Sequence, residues 1–530
     1  MSLIEARDWG WRHAGRRDWA VRDLNLTVEP GERVLLLGPS GAGKTTLLLA
    51  LAGVLGPSSD GMEAGRLLVD GQHPTRRIGQ VGLVQQDPAA QVVLSRVGDD
   101  VAFGCENLGV PASQIWPRVH RAMAAVDLDV ALSHRTDELS GGQQQRLALA
   151  GALAMHDEPS VGRPQLLLLD EPTANLDPAG VAQLRAVIGN LVADRSTGLV
   201  VVEHRVDIWL DIIDRVIVLG RGGGVVADGA PGAVFADRGD ELARQGVWVP
   251  GIPLPVARRD RPTTPDRDLA LRGVDLSIGY LAELPVREHL DIGIPAGLCT
   301  VITGPNGVGK STLALTLAGL LPQLSGRVVA SSKLVPSPIN MRQRRLVKRH
   351  EKARRVRNIS NAQSLWRAKI PHSAAFPGDV ALTDPHIWTS TQLLTRLGTV
   401  FQQPEHQFVT SQVREELAVA LRALRRPSAS ITARVDELLA LLHLDHLADA
   451  NPFTLSGGEM RRLSVGTVLA TSPAVVVLDE PTFGQDRATW CDLARLIGQV
   501  IDDGGTVVGV THDQTFIDVM GQHRIEMGTI

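Results

Sequence analysis

The chain has 530 residues, 44% of them apolar, with a formal net charge of −4 and a pI near 6.4. That supplies enough apolar side chain for two or more cores, and the near-neutral balance excludes a global pull toward nucleic acid or anionic lipid. Cys105, Cys299 and Cys491 stand far apart with no CxxC pair, which argues against a disulfide framework or zinc site and suits a reducing cytoplasm.

The opening residues lack the apolar core of a signal peptide, and no run approaches the ~18 apolar residues of a membrane span. The first strong signal is "ERVLLLGPSGAGKTTLLLALAG". It reads as a strand, a glycine-rich loop and a helix, fitting G-x-x-x-x-G-K-[ST] over Gly38, Pro39, Ser40, Gly41, Ala42, Gly43, Lys44, Thr45 and Thr46. Loop N–H groups and the helix start then face phosphates. Lys44 should contact the β- and γ-phosphates, and the Thr45 hydroxyl should face Mg²⁺. His13 or Trp11, upstream, is placed to stack on a base. Gln86 in "LVQQDPAAQ" can reach the metal or an attacking water from a loop. In "LSGGQQQR" Ser140, Gly141 and Gly142, with Gln143 next, open a helix whose amides can bind a second anion. "QLLLLDEP" is a buried strand ending in acid: Asp170 can hold Mg²⁺ through water, and Glu171 can polarise the attacking water. His204 follows another β-rich run and can hydrogen-bond the γ-phosphate. Residues 236–268, rich in Pro, Arg and Asp, read as a linker without helix or strand period, so a first domain is expected over 1–235.

A second domain, 269–530, repeats this order. Its elements are Tyr280 (the only tyrosine), then Gly304, Pro305, Asn306, Gly307, Val308, Gly309, Lys310, Ser311 and Thr312, then Gln402, Ser456, Gly457, Gly458 and Glu459, Asp479, Glu480 and His512. The offset between equivalents is 266 at the lysines, 316 at the glutamines and 308 at the histidines. A long ordered repeat means two copies of one domain. Both copies keep the glutamate, so two hydrolytic sites are expected. Only 6 lysines stand against 48 arginines, and two of the six are Lys44 and Lys310, where a compact point charge suits phosphates better than a planar fork. A loop already cradles its own phosphates, so each Ser-Gly-Gly is most useful to the other copy's nucleotide. The pairing expected is Lys44 with Ser456, Gly457 and Gly458, and Lys310 with Ser140, Gly141 and Gly142, closing on ATP and opening after hydrolysis.

These motifs, in this order and twice over, resemble the ATP-binding-cassette (ABC) ATPase family. The resemblance implies an α/β fold of two tandem nucleotide-binding domains, each with a phosphate-loop core, an antiparallel β subdomain and a helical subdomain carrying the signature. It implies ATP and Mg²⁺ as ligands, Thr45, Ser311, Gln86, Gln402, Asp170 and Asp479 around the metal, and D-loop residues Asp177 and Asp486. More narrowly, "QDPAAQVVLSRVGDDVAFGCENLGVP" is similar to the ATPase subunits of energy-coupling-factor transporters, which import vitamins and transition-metal ions in prokaryotes. The second copy departs from that pattern, with "REELAVAL" where the first has "DDVAFG". Such subunits sit on the cytoplasmic face of the cell membrane, and grip coupling helices of separate membrane chains beside the glutamine loop; those partners choose the cargo. A soluble tandem ATPase acting on ribosomes is the rival, although that branch carries N-H-L-D where this chain has "NLD" and "GQD". A DNA-repair ATPase would need zinc modules that three scattered cysteines cannot build.

The second copy also carries an insertion at about 331–385, with 12 basic and 3 acidic residues, net +9, leaving −13 for the remainder. It reads as a solvated loop, a contact for anionic lipid or a membrane partner, or a nucleic-acid contact, of which the last lacks interleaved aromatics.

Overall fold

The computed structural model describes residues 2–528 apart from 57–60, 77–78, 157–163, 175, 263–267, 282, 337–382 and 483. The basic run of the insertion therefore lies outside the described residues, as does Trp366, the aromatic nearest to a stacking residue in it. The chain divides into two units, Met1–Leu254 with Phe483–Cys491, and Pro255–Thr482 with Asp492–Ile530.

In the first unit the apolar runs become a six-stranded sheet in the order Val81–Val84, Leu166–Asp170, Gly198–Val202, Arg33–Leu37, Arg215–Leu219, Val225–Gly229. The first five strands are parallel and the last is antiparallel. Such strands need no polar face, because both faces are covered. Alternate residues feed two cores. Leu35, Leu37, Leu167, Leu169, Leu199 and Val201 pack with the helices Val97–Asn107, Ala112–Ala125 and Gly141–Ala154. Leu36, Leu166, Leu168, Val200 and Val202 pack with the helix Lys44–Leu51 and an antiparallel sheet of Val21–Val28, Ile4–His13 and Gly61–Val69.

The second unit repeats the plan. Its parallel sheet runs Leu397–Val400, Val475–Asp479, Thr506–Val510, Cys299–Thr303, His523–Glu526. Its antiparallel sheet runs Arg287–Pro295, Leu269–Ile278, Ser325–Ala330. In both units the phosphate-loop strand lies beside the strand that leads to the histidine, and the acid-ending strand comes next. Parallel strands place their C-terminal ends along one edge, so loop, acids and histidine meet there.

The start of the expected linker, residues 236–244, is helical. Pro231–Arg244 is a single helix with proline in its first turn. Its buried positions are Val234, Gly239, Leu242 and Ala243. A glycine within the stripe, in a charged sequence, hides the helical period. Glycine suits that place because the chain returns over it: a Cβ there would lie 3.3 Å from Val249 Cγ1. Among the described residues no helix is long and apolar enough to cross a membrane.

Candidate nucleotide sites

Each phosphate loop hands its chain to a helix through a left-handed glycine, Gly43 (φ 85°) before Lys44–Leu51 and Gly309 (φ 96°) before Lys310–Leu317. A Cβ on Gly43 would sit 2.4 Å from Val21 Cγ2. Gly43→Ala therefore meets strain and a clash together, and should destabilise the first unit by about 1–3 kcal/mol, read as a lower midpoint in thermal or urea unfolding. Lys44 and Lys310 are buried at the loop centres. Lys44 Nζ donates to the carbonyls of Gly38 (2.8 Å) and Pro39 (3.1 Å), and Lys310 Nζ to those of Gly304 (2.9 Å) and Pro305 (2.8 Å). Burial pushes the Lys44 pKa down, opposed by Glu171, Asp486 and Asp170. The result is a partly desolvated cation ringed by a loop, the environment a polyphosphate needs.

Each strand-end acid meets a hydroxyl of its own phosphate loop. Asp170 is hydrogen-bonded by Thr45, and burial, aided by Glu171, pushes its pKa up to about 6. Asp479 is hydrogen-bonded by Ser311 and is also raised, by burial. Among the described residues Asp479 Oδ1 is buried without a hydrogen-bond partner. A buried, raised carboxylate with an unused oxygen beside a hydroxyl fits a hard divalent cation such as Mg²⁺. The next residue in each copy, Glu171 (φ 45°) and Glu480 (φ 46°), is held in the left-handed region. Its N–H still pairs across the sheet, to Val202 O (2.8 Å) and Val510 O (2.9 Å), so the turn is forced where the side chain leaves the strand edge.

From here the copies part. In the first, Glu171 gathers two side chains: His204 Nε2 lies 3.2 Å from Oε1, and Gln86 Nε2 donates to Oε2 at 2.9 Å. In the second, Glu480 Oε2 accepts from the Thr511 hydroxyl (3.0 Å), and burial pushes its pKa up to about 7. His512 Nε2 pairs instead with Asn306 Oδ1 of the phosphate loop (2.9 Å). Gln402 is exposed, and its carbonyl accepts from Arg461 Nη2 (2.5 Å).

Upstream, Trp11 is 1% exposed, so it cannot stack on a base. Its indole N–H donates to His13 Nδ1 (3.3 Å), which leaves His13 Nε2 to face the Thr46 hydroxyl (3.1 Å). Burial and the charge of Arg16 lower the His13 pKa, favouring the neutral ring. Tyr280 is 67% exposed, next to exposed Leu281 and Leu284. The signature helices Gly141–Ala154 and Gly457–Leu469 open on reciprocal caps, Ser140 with Gln143 and Ser456 with Glu459. Asp177 and Asp486 both accept from amides of the helix that follows, at Gly180 and Thr489.

Several supporting residues escaped the sequence reading. Thr173 donates to Glu203 (2.5 Å), and Thr482 to Asp513 (2.6 Å). The carboxylate stands before the histidine in one copy and after it in the other, yet braces the same threonine. Gln91 and Gln407, five residues after each glutamine, turn their side chains back onto the loops at Gln85 N and Phe401 N. Asp100 accepts from the amides of Val93 and Leu94, and Glu416 from those of Val409 and Thr410. Glu416 thus does for "REELAVAL" what Asp100 does for "DDVAFG". The signal was the shared offset of 316.

The ABC transporter family model matches residues 21–174 and 288–483. The chain is 30% identical over 523 residues to YkoD of Bacillus subtilis strain 168, provisionally named an HMP/thiamine import ATP-binding protein, covering 94% of this chain and 84% of that one. A provisionally named ABC transporter ATP-binding protein of Methanosarcina acetivorans is 29% identical, with 93% and 79% covered. The archaeal ribosome recycling factor aABCE1, solved with the stalk protein aP1, shares the fold at 20% identity and TM-score 0.57, with 98% of this chain and 87% of that one covered. With the family model spanning most of both repeats, the chain belongs to the ABC transporter family, as an ATPase with two ATP-binding domains.

Proposed function

We propose that this ATPase energises an importer of the energy-coupling-factor type, carrying a micronutrient such as a vitamin or transition-metal ion, from the cytoplasmic face of the membrane. One observation carries the reading. Val93 and Val409, each seven residues after its glutamine, are 58% and 73% exposed. Asp100 and Glu416 hold the backbone that presents them. An apolar side chain offered to solvent at the same place in both copies suits the apolar face of a partner helix. The import role in the name of the Bacillus subtilis relative supports the same class of cargo.

In this proposal Lys44 and Lys310 hold the phosphates. Thr45 with Asp170, and Ser311 with Asp479, hold Mg²⁺, with Gln86 and Gln402 reporting on it. The bound metal supplies charge neutralisation on the phosphate oxygens. Glu171 and Glu480 take the proton of the attacking water, and His204 and His512 orient it against the terminal phosphate. His13 and Tyr280 stack on the bases.

The test is co-purification. A tagged chain is recovered from host membranes in mild detergent, at high salt, and its companions are identified. Small multi-span membrane proteins are expected. Ribosomes or nucleic acid without membrane protein would overturn the reading. In the same assay Val93→Asp with Val409→Asp should strip the membrane partners, since losing a buried valine contact costs about 1.5–3 kcal/mol, about ten- to a hundredfold in affinity.

A further inference from the structure

The stretch Phe483–Cys491 comes from the second copy's sequence but belongs to the first unit. It carries Asp486, which is 3% exposed. Asp486 Oδ2 accepts from the backbone N–H of Ser40 at 2.7 Å, inside the first phosphate loop. Its Oδ1 accepts from Thr489 N at 2.8 Å, at the start of the helix Arg487–Asp502. Two residues earlier, a Cβ on Gly484 would lie 3.3 Å from both Gln86 Nε2 and Glu171 Oε2. The stretch therefore lies against the phosphate loop and against the glutamate at once.

The end of the helix Pro231–Arg244 and the irregular run after it hold this stretch in place. Arg487 is 7% exposed. Its Nη1 donates to Ala243 O (2.9 Å), its Nη2 to Pro253 O (2.6 Å), and its backbone N–H to Gly246 O (2.9 Å). Trp248 Nε1 donates to Gln485 O (2.9 Å), and its ring meets Trp490 edge-on at 5.9 Å. A guanidinium suits this place because two carbonyls, one of them in the last turn of a helix, lie within reach of one planar fork. In the first copy the residue after the matching aspartate, Asp177, is Pro178, which has no such fork.

We propose that Arg487 and Trp248 are positioning residues for the ATP site built on Lys44. They clamp residues 484–491 so that Asp486 fixes the Ser40 amide and Gly484 packs on Glu171 and Gln86. The clamp acts on one of the two sites. It rests on ATP hydrolysis alone and not on the importer reading. Small displacements of groups that orient an attacking water cost rate more than binding, so the clamp should act on kcat.

The test is hydrogen–deuterium exchange on the nucleotide-free full chain, with steady-state kinetics beside it. In Arg487→Ala the peptide holding Ser40 should exchange about tenfold faster, while the peptide over 304–312 stays as in the unchanged protein. kcat should fall about fivefold, with KM for ATP within about twofold. Arg487→Lys, which can reach one carbonyl but not both, should restore part of the protection. If Arg487→Ala fails to fold, Trp248→Phe keeps an aromatic ring against Trp490 but loses the indole N–H and part of the ring's volume, and should speed exchange at Ser40 by about threefold. Unchanged exchange at Ser40, or an equal rise in both phosphate loops, overturns the proposal.

Discussion

Glu171→Gln is expected to lower turnover at its site by about 10²–10⁴-fold while leaving ATP binding intact, and Glu480→Gln to do the same at the other. Glutamine keeps the size of the side chain and removes the ability to take a proton. Lys44 and Lys310, which hold the phosphates, are untouched. Each single variant should lower total phosphate release, and the double variant should approach background, while a fluorescent ATP analogue binds all three as it binds the unchanged protein. The two losses need not be equal. Glu171 already has His204 at 3.2 Å and Gln86 at 2.9 Å. Glu480 is engaged by the Thr511 hydroxyl, and burial holds its pKa at about 7. It must leave that hydroxyl before it can act beside His512, so the first site should carry the larger share. A single variant that keeps full turnover would show that its site is not hydrolytic.

Much of this site was legible because its chemistry is concentrated in short stretches. A phosphate loop needs its glycines, lysine and hydroxyl within nine residues, and a strand-end acid pair needs only its strand. Gly43 illustrates the point: the motif demands glycine, and the structure supplies the reason in Val21, which lies 2.4 Å from where a Cβ would be. What escaped the reading depends on pairs far apart in sequence. Arg461, in a signature helix, clamps the carbonyls of Phe401 and Gln402 sixty residues earlier. Nothing local distinguishes it from Arg462, since both belong to one charged helix start. The threonine braces were hidden for another reason: Glu203 and Asp513 occupy different places around their histidines, so aligning the copies separates them. The helix Pro231–Arg244 was missed because its buried stripe includes Gly239, and a small residue contributes little to an apolar period.

Lys44→Arg and Lys310→Arg test the most unusual feature of the composition. With 48 arginines and 6 lysines in the chain, an exchange to arginine looks mild. It is expected to weaken ATP binding at the altered site by about ten- to a hundredfold, the loss of a well-placed charge-assisted contact. Lys44 Nζ fits between two carbonyls at 2.8 and 3.1 Å, in a loop that leaves it 8% exposed. A guanidinium carries its charge on a broad plane, and cannot turn within that ring to meet both the loop and two phosphates. At an ATP concentration that fills both sites of the unchanged protein, each single variant should bind one nucleotide instead of two, by equilibrium titration. Lys333→Arg is the control, since the Lys333 side chain is 82% exposed and, among the described residues, meets Asp268 at 3.5 Å, and should change nothing. Full binding by either loop variant would mean that any cation serves there, and that lysine survives in the loops by accident of composition. Loss of one site, with Glu171→Gln and Glu480→Gln still binding two nucleotides, would separate the residues that hold ATP from those that cut it.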